Sequence, residues 1–241
     1  MTCCLRFFLL ALALASSAAH SAPFENTIAQ RTLACTACHG AQGRAGPDGY
    51  YPRLAGKPAG YLYNQLLNFR DGRRHYALMT QLVDPLSDAY LMEIATYFSK
   101  LDLPFAPPAP PTAAPEVLQR GQTLVIQGDA ARRLPACVAC HGQALTGVAP
   151  HIPGLLGLPR DYLNAQLGAW RTGQRRAHAP DCMAHIVTSM SDQDIHATTS
   201  WLAAQPIPGG ASGSKPAAGL PATRADRPAC GSAPAPRVSP P

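Results

Sequence analysis

Two short stretches of the sequence contain the residue types best suited to chemistry, LACTACHG at 33–40 and ACVACHG at 136–142. Each stretch places two cysteines two residues apart and a histidine directly after the second cysteine. Cysteine and histidine side chains bind zinc, exchange disulfides or, in this spacing, attach haem covalently. The surroundings of the two motifs favour one of these chemistries over the others.

The arrangement of the motifs argues against zinc and against a redox dithiol. A structural zinc site takes four ligands, usually as two well-spaced pairs, so a single ion would need both motifs at once. A thioredoxin-type dithiol is expected at the start of a helix in a βαβ unit, and the sequence shows no alternating strand pattern. A plain disulfide within each motif remains as a further alternative.

Covalent attachment of c-type haem explains the spacing of the motifs. Two thiols about one helical turn apart can add to the two vinyl groups of one porphyrin edge, and the adjacent histidine then lies under the iron. A haem would also add apolar volume to domains of ~80–90 residues, which have thin cores. We therefore predict two covalently attached haem c groups, with the cysteines Cys35, Cys38, Cys137 and Cys140 as tethers and the histidines His39 and His141 as iron ligands.

The two motifs belong to a tandem repeat with an offset of 101 to 104 residues. Residues 51–74 match residues 152–176, and residues 86–101 match residues 190–205. Apolar residues recur at helical spacing in both copies, and a serine (Ser87 or Ser191) is predicted to cap the last helix of each. The predicted fold class is therefore all-α, a tandem pair of small helical domains joined by a Pro-rich linker.

Composition sets the predicted boundaries along the chain. Arg6, the apolar run FFLLALALA at 7–15 and the small residues after it are typical of a secretory signal peptide, so we expect an exported, periplasmic protein. The segments are a signal peptide at 1–19, domains at 20–101 and 117–205, a linker at 102–116 and a disordered Pro/Ala/Gly-rich tail at 206–241.

Charge and hydropathy exclude two classes of partner. The formal net charge of +6 comes from scattered basic residues, which do not indicate nucleic-acid binding. No segment after the predicted signal peptide approaches the ~20 apolar residues of a membrane helix. We expect a soluble protein whose membrane association is at most peripheral.

The ligand on the second face of each iron decides between an electron carrier and a catalyst, because a methionine there closes the iron to substrate. Met79 and Met183 precede the repeated Ser-Asp pair by the same number of residues, and they lie 40 and 42 residues after the motif histidines. We predict both as iron ligands. Met92 and Met190 have no such correspondence and are predicted to be core residues.

Two prolines and three pairs of arginines also recur around the motifs. Pro52 and Pro153 are predicted to offer backbone carbonyls that orient the motif histidines, since a histidine ligand usually donates its other ring N–H to such a group. The arginines either bind the anionic haem propionates or form a basic face for acidic redox partners. Their predicted pairs are Arg70 with Arg171, Arg73 with Arg175, and Arg74 with Arg176.

Together these motifs resemble those of the di-haem cytochromes c of the cytochrome c4 type. The resemblance spans roughly residues 25–205 and is carried by the two CxxCHG units, by PRLAG and PGLLG with the helical pattern after each, and by MTQLVDPLSD and CMAHIVTSMSD. It implies two class I cytochrome c domains with His/Met ligation and haems near one another across a pseudo-two-fold interface. It also implies a periplasmic electron carrier without catalytic residues, whose donor is a quinol-oxidising complex or a dehydrogenase and whose acceptor is a terminal oxidase.

Three features depart from that pattern. The first helix of the first domain, near 24–32, looks shorter than its counterpart at 120–129 and lacks a glycine equivalent to Gly121. Cys182 and Cys230 are additional, as is the tail itself. We expect two thiols there, and a Cys182–Cys230 disulfide, which would pin the tail near the second haem, is the alternative.

Two other functions remain open at this point. The chain could be the cytochrome subunit that accepts electrons within an exported oxidoreductase, such as a flavoprotein sulfide dehydrogenase, and would then copurify with a catalytic partner. A di-haem peroxidase would need one iron whose sixth ligand is labile or missing, and the paired methionines argue against it.

Replacing Met79 or Met183 with alanine is expected to open one iron and to lower its reduction potential, because thioether ligation raises that potential. The long-wavelength absorption band of Met–Fe(III) ligation should fall to about half in each single variant and vanish in the double variant. Met92→Ala is the matched control and should leave the band unchanged. Survival of the band in the double variant would contradict the assignment.

Overall fold

The computed structural model describes residues 25–46, 48–208, 216–218 and 230–232. The predicted signal peptide lies outside the described residues. The first domain is built from short and medium-length helices, in the order α1 (Ile28–Arg31), α2 (Leu33–His39), α3 (Ala59–Arg70), α4 (Ala77–Val83) and α5 (Asp88–Lys100).

The second domain repeats this order with one small sheet added. Its helices are α6 (Pro115–Ile126), α7 (Val138–His141), α8 (Arg160–Arg171), α9 (Cys182–Thr188) and α10 (Asp192–Ala203). The strands β1 (Gly147–Ala149), β2 (Ile152–Pro153) and β3 (Ala217–Ala218) form a sheet in the order β2-β1-β3. β1 pairs antiparallel with β2 and parallel with β3. The predicted all-α class is confirmed, because the strands are only two or three residues long.

Serine caps begin the last helix of each domain, as predicted. The Ser87 hydroxyl accepts a hydrogen bond from the backbone N–H of Tyr90 at 3.3 Å. The Ser191 hydroxyl accepts from the N–H of Asp194 at 3.1 Å, and the Asp194 carboxylate accepts from the N–H of Ser191 at 3.0 Å. This reciprocal capping box satisfies two helix-end donors and fixes where α10 begins.

The two domains differ most in their first helix. α1 has 4 residues, whereas α6 has 12 and packs along α10. Gly121 permits this close crossing, because a Cβ there would come within 2.7 Å of the Ala197 carbonyl carbon and 2.8 Å of the Trp201 Cβ. The predicted shortness of the first helix in the first domain is confirmed.

The segments that follow α3 and α8 pair with each other and join the two domains. Arg74 and Arg175 form an antiparallel β-bridge. On either side of it, the N–H of His75 donates to the Gln174 carbonyl at 2.8 Å and the N–H of Arg176 donates to the Arg73 carbonyl at 2.6 Å. The bridge relates the two domains by a local pseudo-two-fold.

This bridge corrects the predicted pairing of the arginines. The N–H of Arg74 donates to the carbonyl of Asn68, six residues earlier, at 2.8 Å, and the N–H of Arg175 donates to that of Ala169, also six residues earlier, at 2.9 Å. Arg74 and Arg175 are therefore the structural equivalents, and the predicted pairs Arg73 with Arg175 and Arg74 with Arg176 are wrong. The Arg-Arg dipeptides of the two repeats have the same sequence, but the second begins one residue later after its preceding glycine than the first.

The predicted linker is held against the first domain. The buried Arg53 guanidinium donates to the carbonyls of Leu103 at 2.5 Å and Pro104 at 3.0 Å, and it lies 3.8 Å from the centre of the Phe105 ring. α6 begins at Pro115, within the segment predicted as linker. Proline at the first helical position suits a helix start, since its missing N–H would have no partner there.

The described parts of the tail are structured, contrary to the expectation of disorder. β3 pairs with β1, and Cys230 forms a disulfide with Cys182 across a Cα–Cα distance of 5.5 Å. The expectation of two thiols at these positions is therefore wrong. The two cysteines are 48 residues apart, and such a spacing carries no information on whether a proline-rich tail returns to the domain. The remaining tail residues lie outside the described part of the chain.

Asp194 is a buried carboxylate that ties α10 to two arginines. It accepts from Arg132 at 2.6 Å and from Arg120 at 3.0 Å. Burial alone would raise the pKa of Asp194, but hydrogen bonds from Arg132, Ser191 and Arg120 hold that pKa well below its ordinary value. Since the folded pKa is depressed, the stabilisation is complete above the unfolded pKa of about 4 and is lost as pH falls below it.

Asp194→Asn is expected to lower the free energy of unfolding by about 2 kcal/mol at neutral pH, because Arg120 and Arg132 lose a buried charged partner and keep only Asp129. The difference from the native sequence should shrink as pH falls from about 4 towards 2. Denaturant unfolding followed by circular dichroism measures it. Asp88→Asn, which breaks a more exposed ion pair with Arg70, is the matched control and should cost less than about 1 kcal/mol. Equal losses in the two variants would contradict the assigned role.

Candidate haem sites

In the first domain, α2 and the turn after it fix the position of His39. Gly40 has a φ of 73°, and a Cβ there would come within 2.7 Å of the Ala45 carbonyl carbon, so the chain can turn back only with glycine at this position. The turn brings Pro52 beneath the ring, and His39 Nδ1 donates to the Pro52 carbonyl at 2.8 Å. This bond places the ring proton on Nδ1 and leaves Nε2 as the nitrogen available to a metal.

A cavity of about 650 Å³ lies beside this histidine. Its lining includes all four predicted site residues of the first domain, namely Cys35, Cys38, His39 and Met79. Its volume falls in the range of roughly 300–1,000 Å³ that is typical of cofactor sites. The structure thus brings the first predicted set together around one cavity.

α4 carries Met79 and is fastened to α3 by the next residue. The Thr80 hydroxyl donates to the Phe69 carbonyl at 3.1 Å. Phe69 is buried, and Met79 packs against it together with Val83 and Leu91. The methionine is therefore positioned by a helix that is itself bonded to the wall of the cavity.

The second domain holds its histidine in the same way. Cys137 directly precedes α7, which contains Cys140 and ends at His141, and Gly142 follows with a φ of 85°. His141 Nδ1 donates to the Pro153 carbonyl at 2.8 Å, the same distance as in the first domain. The predicted role of the two proline carbonyls is confirmed.

Each domain divides its apolar core into two clusters, and the predicted site residues are distributed between them identically. Cys35 packs against the cluster of Leu62, Ile94 and Phe98, whereas Met79 packs against the neighbouring cluster. In the second domain, the corresponding residues again separate: Cys137 packs against the cluster that includes Val125 and Leu163, and Met183 against the one that includes Leu124 and Val187. In the first domain the cavity is bordered by residues of both clusters. The equivalent packing places Cys137 and Met183 at the corresponding positions of the second domain.

The other two methionines behave differently from each other. Met190 is 8% exposed and belongs to the core cluster of the second domain, as predicted. Met92 is 40% exposed, so its prediction as a core residue is wrong. α5 places it one residue after the fully buried Leu91, which is the residue that faces the core at this turn.

The cysteine environments disfavour a redox dithiol. Burial raises the pKa of Cys35, and burial together with the neighbouring Cys140 raises the pKa of Cys137 to about 12. A reactive dithiol needs a lowered thiol pKa, because the thiolate is the nucleophile. A single zinc site would need ligands from both motifs close together. Within the described ranges, no group of three or more His, Cys, Asp or Glu side chains is placed to hold a metal ion, so the two motifs do not form such a site.

The histidine environments favour the metal-binding form of imidazole. Burial lowers the pKa of His39 and His141 more than the hydrogen bonds to Pro52 and Pro153 raise it, and the charge of Arg74 lowers the pKa of His39 further. Both rings therefore stay neutral near pH 7, which is the state that ligates a metal.

Two arginines at the domain junction, the half-buried Arg74 and the buried Arg175, form a cluster of positive charge. Arg74 donates to the amide oxygens of Gln65 at 2.9 Å and Gln166 at 2.6 Å, and Arg175 donates to the same two oxygens at 3.0 and 2.8 Å. Arg175 is only 4% exposed. Burial, and after it the positive charge of Arg74, lower the pKa of Arg175, as expected for two cations held close together.

These two arginines have no carboxylate partner in the part of the chain that the structure describes. The aspartates near the helix ends bind other arginines, with Asp88 on Arg70, Asp71 on Arg73 and Asp192 on Arg171. Arg74 and Arg175 both line the cavity that contains Met79 and His39. Two cations that are at least partly shielded from water and face a cavity fit a dianionic ligand such as a haem with its two propionates. The residues around the first cavity therefore fit the group.

Among the residues that the structure describes, no helix combines the length and apolar character needed to cross a membrane.

Comparisons with known proteins agree with this geometry. A sequence profile described as "Cytochrome c" matches residues 118–205. The chain is 42% identical over 174 residues to a thiosulfate dehydrogenase electron acceptor of Thiomonas intermedia, covering 72% of this chain and 79% of that protein.

Two solved structures have the same fold. Reduced recombinant cytochrome c4 from Pseudomonas stutzeri superposes with a TM-score of 0.62 at 30% identity, over 73% of this chain and 95% of that one. A thiosulfate dehydrogenase from Marichromatium purpuratum gives a TM-score of 0.63 at 32% identity, over 77% of this chain and 41% of that one.

The fold and the paired sites define a di-haem c-type cytochrome, whose cofactor is covalently attached haem c. The chain belongs to the di-haem cytochromes c of the cytochrome c4 type. It is accordingly an electron-transfer protein that works with redox protein partners.

Arg175→Gln is expected to lower the reduction potential of the haem-loaded protein, because a nearby positive charge stabilises the reduced iron. A Coulomb energy of about 1 kcal/mol between the guanidinium and the iron corresponds to a shift in reduction potential on the order of 50 mV. Spectroelectrochemical titration measures it. Arg171→Gln, which removes an arginine paired with Asp192 at the surface, is the matched control and should shift the potential much less. Equal shifts in both variants would contradict the special role of the buried arginine.

Proposed function

We propose that this chain is a periplasmic di-haem electron carrier of a respiratory chain, which accepts electrons from a dehydrogenase or a quinol-oxidising complex and delivers them towards a terminal oxidase. One observation carries the proposal: His39 and Met79 line the same cavity as Cys35 and Cys38. His39 and Met79 would hold the iron of a haem tethered by the two cysteines, and a His/Met ligand pair suits electron transfer rather than substrate binding.

Each site residue has a definite role in this proposal. Cys35 and Cys38 tether the first haem, and His39 and Met79 ligate its iron. The second haem uses the equivalent residues, which are Cys137 and Cys140 as tethers and His141 and Met183 as ligands. When bound, the group supplies reversible one-electron oxidation and reduction of iron.

The surrounding residues keep the iron environment constant during electron transfer. The carbonyls of Pro52 and Pro153 orient the two histidines and make the free nitrogen more basic. Buried apolar residues of the first domain, among them Leu62 and Phe98, line the cavity and give it an apolar wall. Arg74 and Arg175 would hold propionates at the domain junction.

The rim of the first cavity reaches the protein surface. Tyr50 and Leu78 both line the cavity and are 61% and 59% exposed. Cys38 is exposed as well. An exposed rim lets a redox partner approach a tethered edge closely, and we propose that electrons enter or leave the first haem here.

A second candidate is a dedicated electron acceptor for a thiosulfate dehydrogenase. The 42% identical relative bears that name, and part of a thiosulfate dehydrogenase chain shares this fold. This narrower function agrees with the carrier proposal, because it specifies the dehydrogenase that acts as donor. It also specifies the other alternative, a cytochrome subunit within an exported oxidoreductase, because that oxidoreductase would then be a thiosulfate dehydrogenase.

Mixing the oxidised haem-loaded protein with a thiosulfate dehydrogenase and thiosulfate is expected to reduce both haems, and adding membranes with a terminal oxidase and oxygen should reoxidise them. Stopped-flow absorbance measures both reactions. Omission of thiosulfate is the control for the donor, and cyanide is the control for the oxidase. Reduction by a quinol-oxidising complex alone would reject the narrower candidate and keep the broader one. Turnover of peroxide by the isolated chain, without electron transfer to the oxidase, would reject both.

A further inference from the structure

The loop that leads to Met183 is longer than the loop that leads to Met79. Gly72 and Gly173, which end the preceding helices, are 101 residues apart, whereas the two methionines are 104 residues apart. The second loop therefore contains three additional residues. A longer connection has more conformational freedom, so it needs more contacts to hold its end in one place.

The second domain also lacks the bond that fastens the first methionine helix. In the first domain, the hydroxyl of Thr80, directly after Met79, donates to the Phe69 carbonyl at 3.1 Å. The residue directly after Met183 is Ala184, which has no side-chain donor. Asp181 caps α9 and accepts from the N–H groups of Ala177 at 2.6 Å and Ala184 at 3.0 Å, but these bonds join only the loop and the first turn of α9 and do not reach α8.

The C-terminal residues Cys230–Ser232 supply contacts from outside the loop. Cys230 is bonded to Cys182, the residue directly before Met183. The N–H of Gly231 donates to the Pro180 carbonyl at 3.0 Å, and the Ser232 hydroxyl accepts from the N–H of His178 at 3.2 Å. Three consecutive tail residues are thus bonded to every second residue from His178 to Cys182.

Glycine is required at the centre of this contact. A Cβ at Gly231 would collide with the carbonyl oxygen of Ala179 and come within 2.6 Å of the carbonyl oxygen of His178. The tail backbone therefore lies directly on the loop backbone. This close approach leaves the loop little room to move away from the domain.

The same three residues connect the loop to the first domain. The Asn64 side-chain amide, on α3, donates to the Ser232 carbonyl at 3.0 Å. Through these tail residues, the loop before Met183 is also fixed to α3 of the first domain. No equivalent anchor is needed at Met79, where Thr80 bonds to α3 directly.

We propose that Cys230–Ser232, acting through the Cys182–Cys230 disulfide, is a positioning element that keeps the Met183 thioether on the second iron. This inference rests on the proposed ligation of that iron by Met183. Without the contacts of Cys230–Ser232, the longer loop moves more freely, and the Met183 thioether is away from the second iron for a larger fraction of the time. The second iron then becomes accessible to added ligands while the first stays closed.

Imidazole titration of the oxidised, haem-loaded chain tests the proposal, because imidazole binds an iron only when its methionine has left. In the double variant Cys182→Ser, Cys230→Ser, the apparent affinity should rise about tenfold at one of the two irons, in proportion to the open fraction. The reduction potential of the same haem should fall. The affected iron is identified by repeating the titration in a Met79→Ala and in a Met183→Ala background.

Two further variants keep the result interpretable if the double variant is poorly folded. Gly231→Ala displaces the tail from the loop without removing a core side chain, and it should shift imidazole binding at the second iron in the same direction. Thr80→Ala removes the equivalent bond of the first domain and should shift binding at the first iron instead. Haem content and circular dichroism of each variant report whether folding is intact.

Each outcome decides the proposal. Tighter imidazole binding at the second iron alone, in both tail variants, supports it. Unchanged affinity at both irons, or an equal rise at both, overturns the positioning role while leaving the proposed ligands standing. If Met183→Ala leaves the second iron unchanged in the otherwise native chain, Met183 is not a ligand, and the site assignment and the positioning role both fail.

Discussion

Two guanidinium groups that share two amide oxygens lie at the centre of this molecule. Arg74 and Arg175 each donate to Gln65 and Gln166, and their backbones form the bridge between the domains. Like charges in a buried position repel each other, and amide oxygens only partly offset that repulsion. The junction is thus most stable with an anionic group in the adjoining cavity, so domain association and cofactor retention depend on the same charges.

The sequence alone identified the features that depend on local spacing. The Cys-x-x-Cys-His units predict their own helical turn, and the repeat selected Met79 and Met183 from the available methionines. It also selected Pro52 and Pro153, whose carbonyls accept hydrogen bonds from the histidine rings. The ligand roles of Met79 and Met183 stay predictions, whereas the roles of the two proline carbonyls are confirmed, and all of them rest on patterns of a few neighbouring residues that occur twice. The domain class followed from helical periodicity for the same reason.

Features that depend on long-range placement could not be predicted in this way. Two of the predicted arginine pairs were wrong by one residue, because the identical Arg-Arg sequences align with each other although the backbone bridge pairs Arg74 with Arg175. The Cys182–Cys230 disulfide joins positions that no spacing relates. Met92 was predicted as a core residue because no methionine corresponds to it in the other repeat, whereas its exposure depends on which side of α5 meets the rest of the domain.

The anchoring of the linker by Arg53 has a consequence for how the two halves communicate. The guanidinium holds the carbonyls of Leu103 and Pro104 and stacks on Phe105, so the connection cannot act as a loose tether. The backbone bridge at Arg74 and Arg175 is a second connection between the domains. Two such connections hold the sites proposed for the two haems in one relative position. Electron exchange between haems bound at those sites would then be tunnelling at a constant distance, which would not wait for the halves to meet by diffusion.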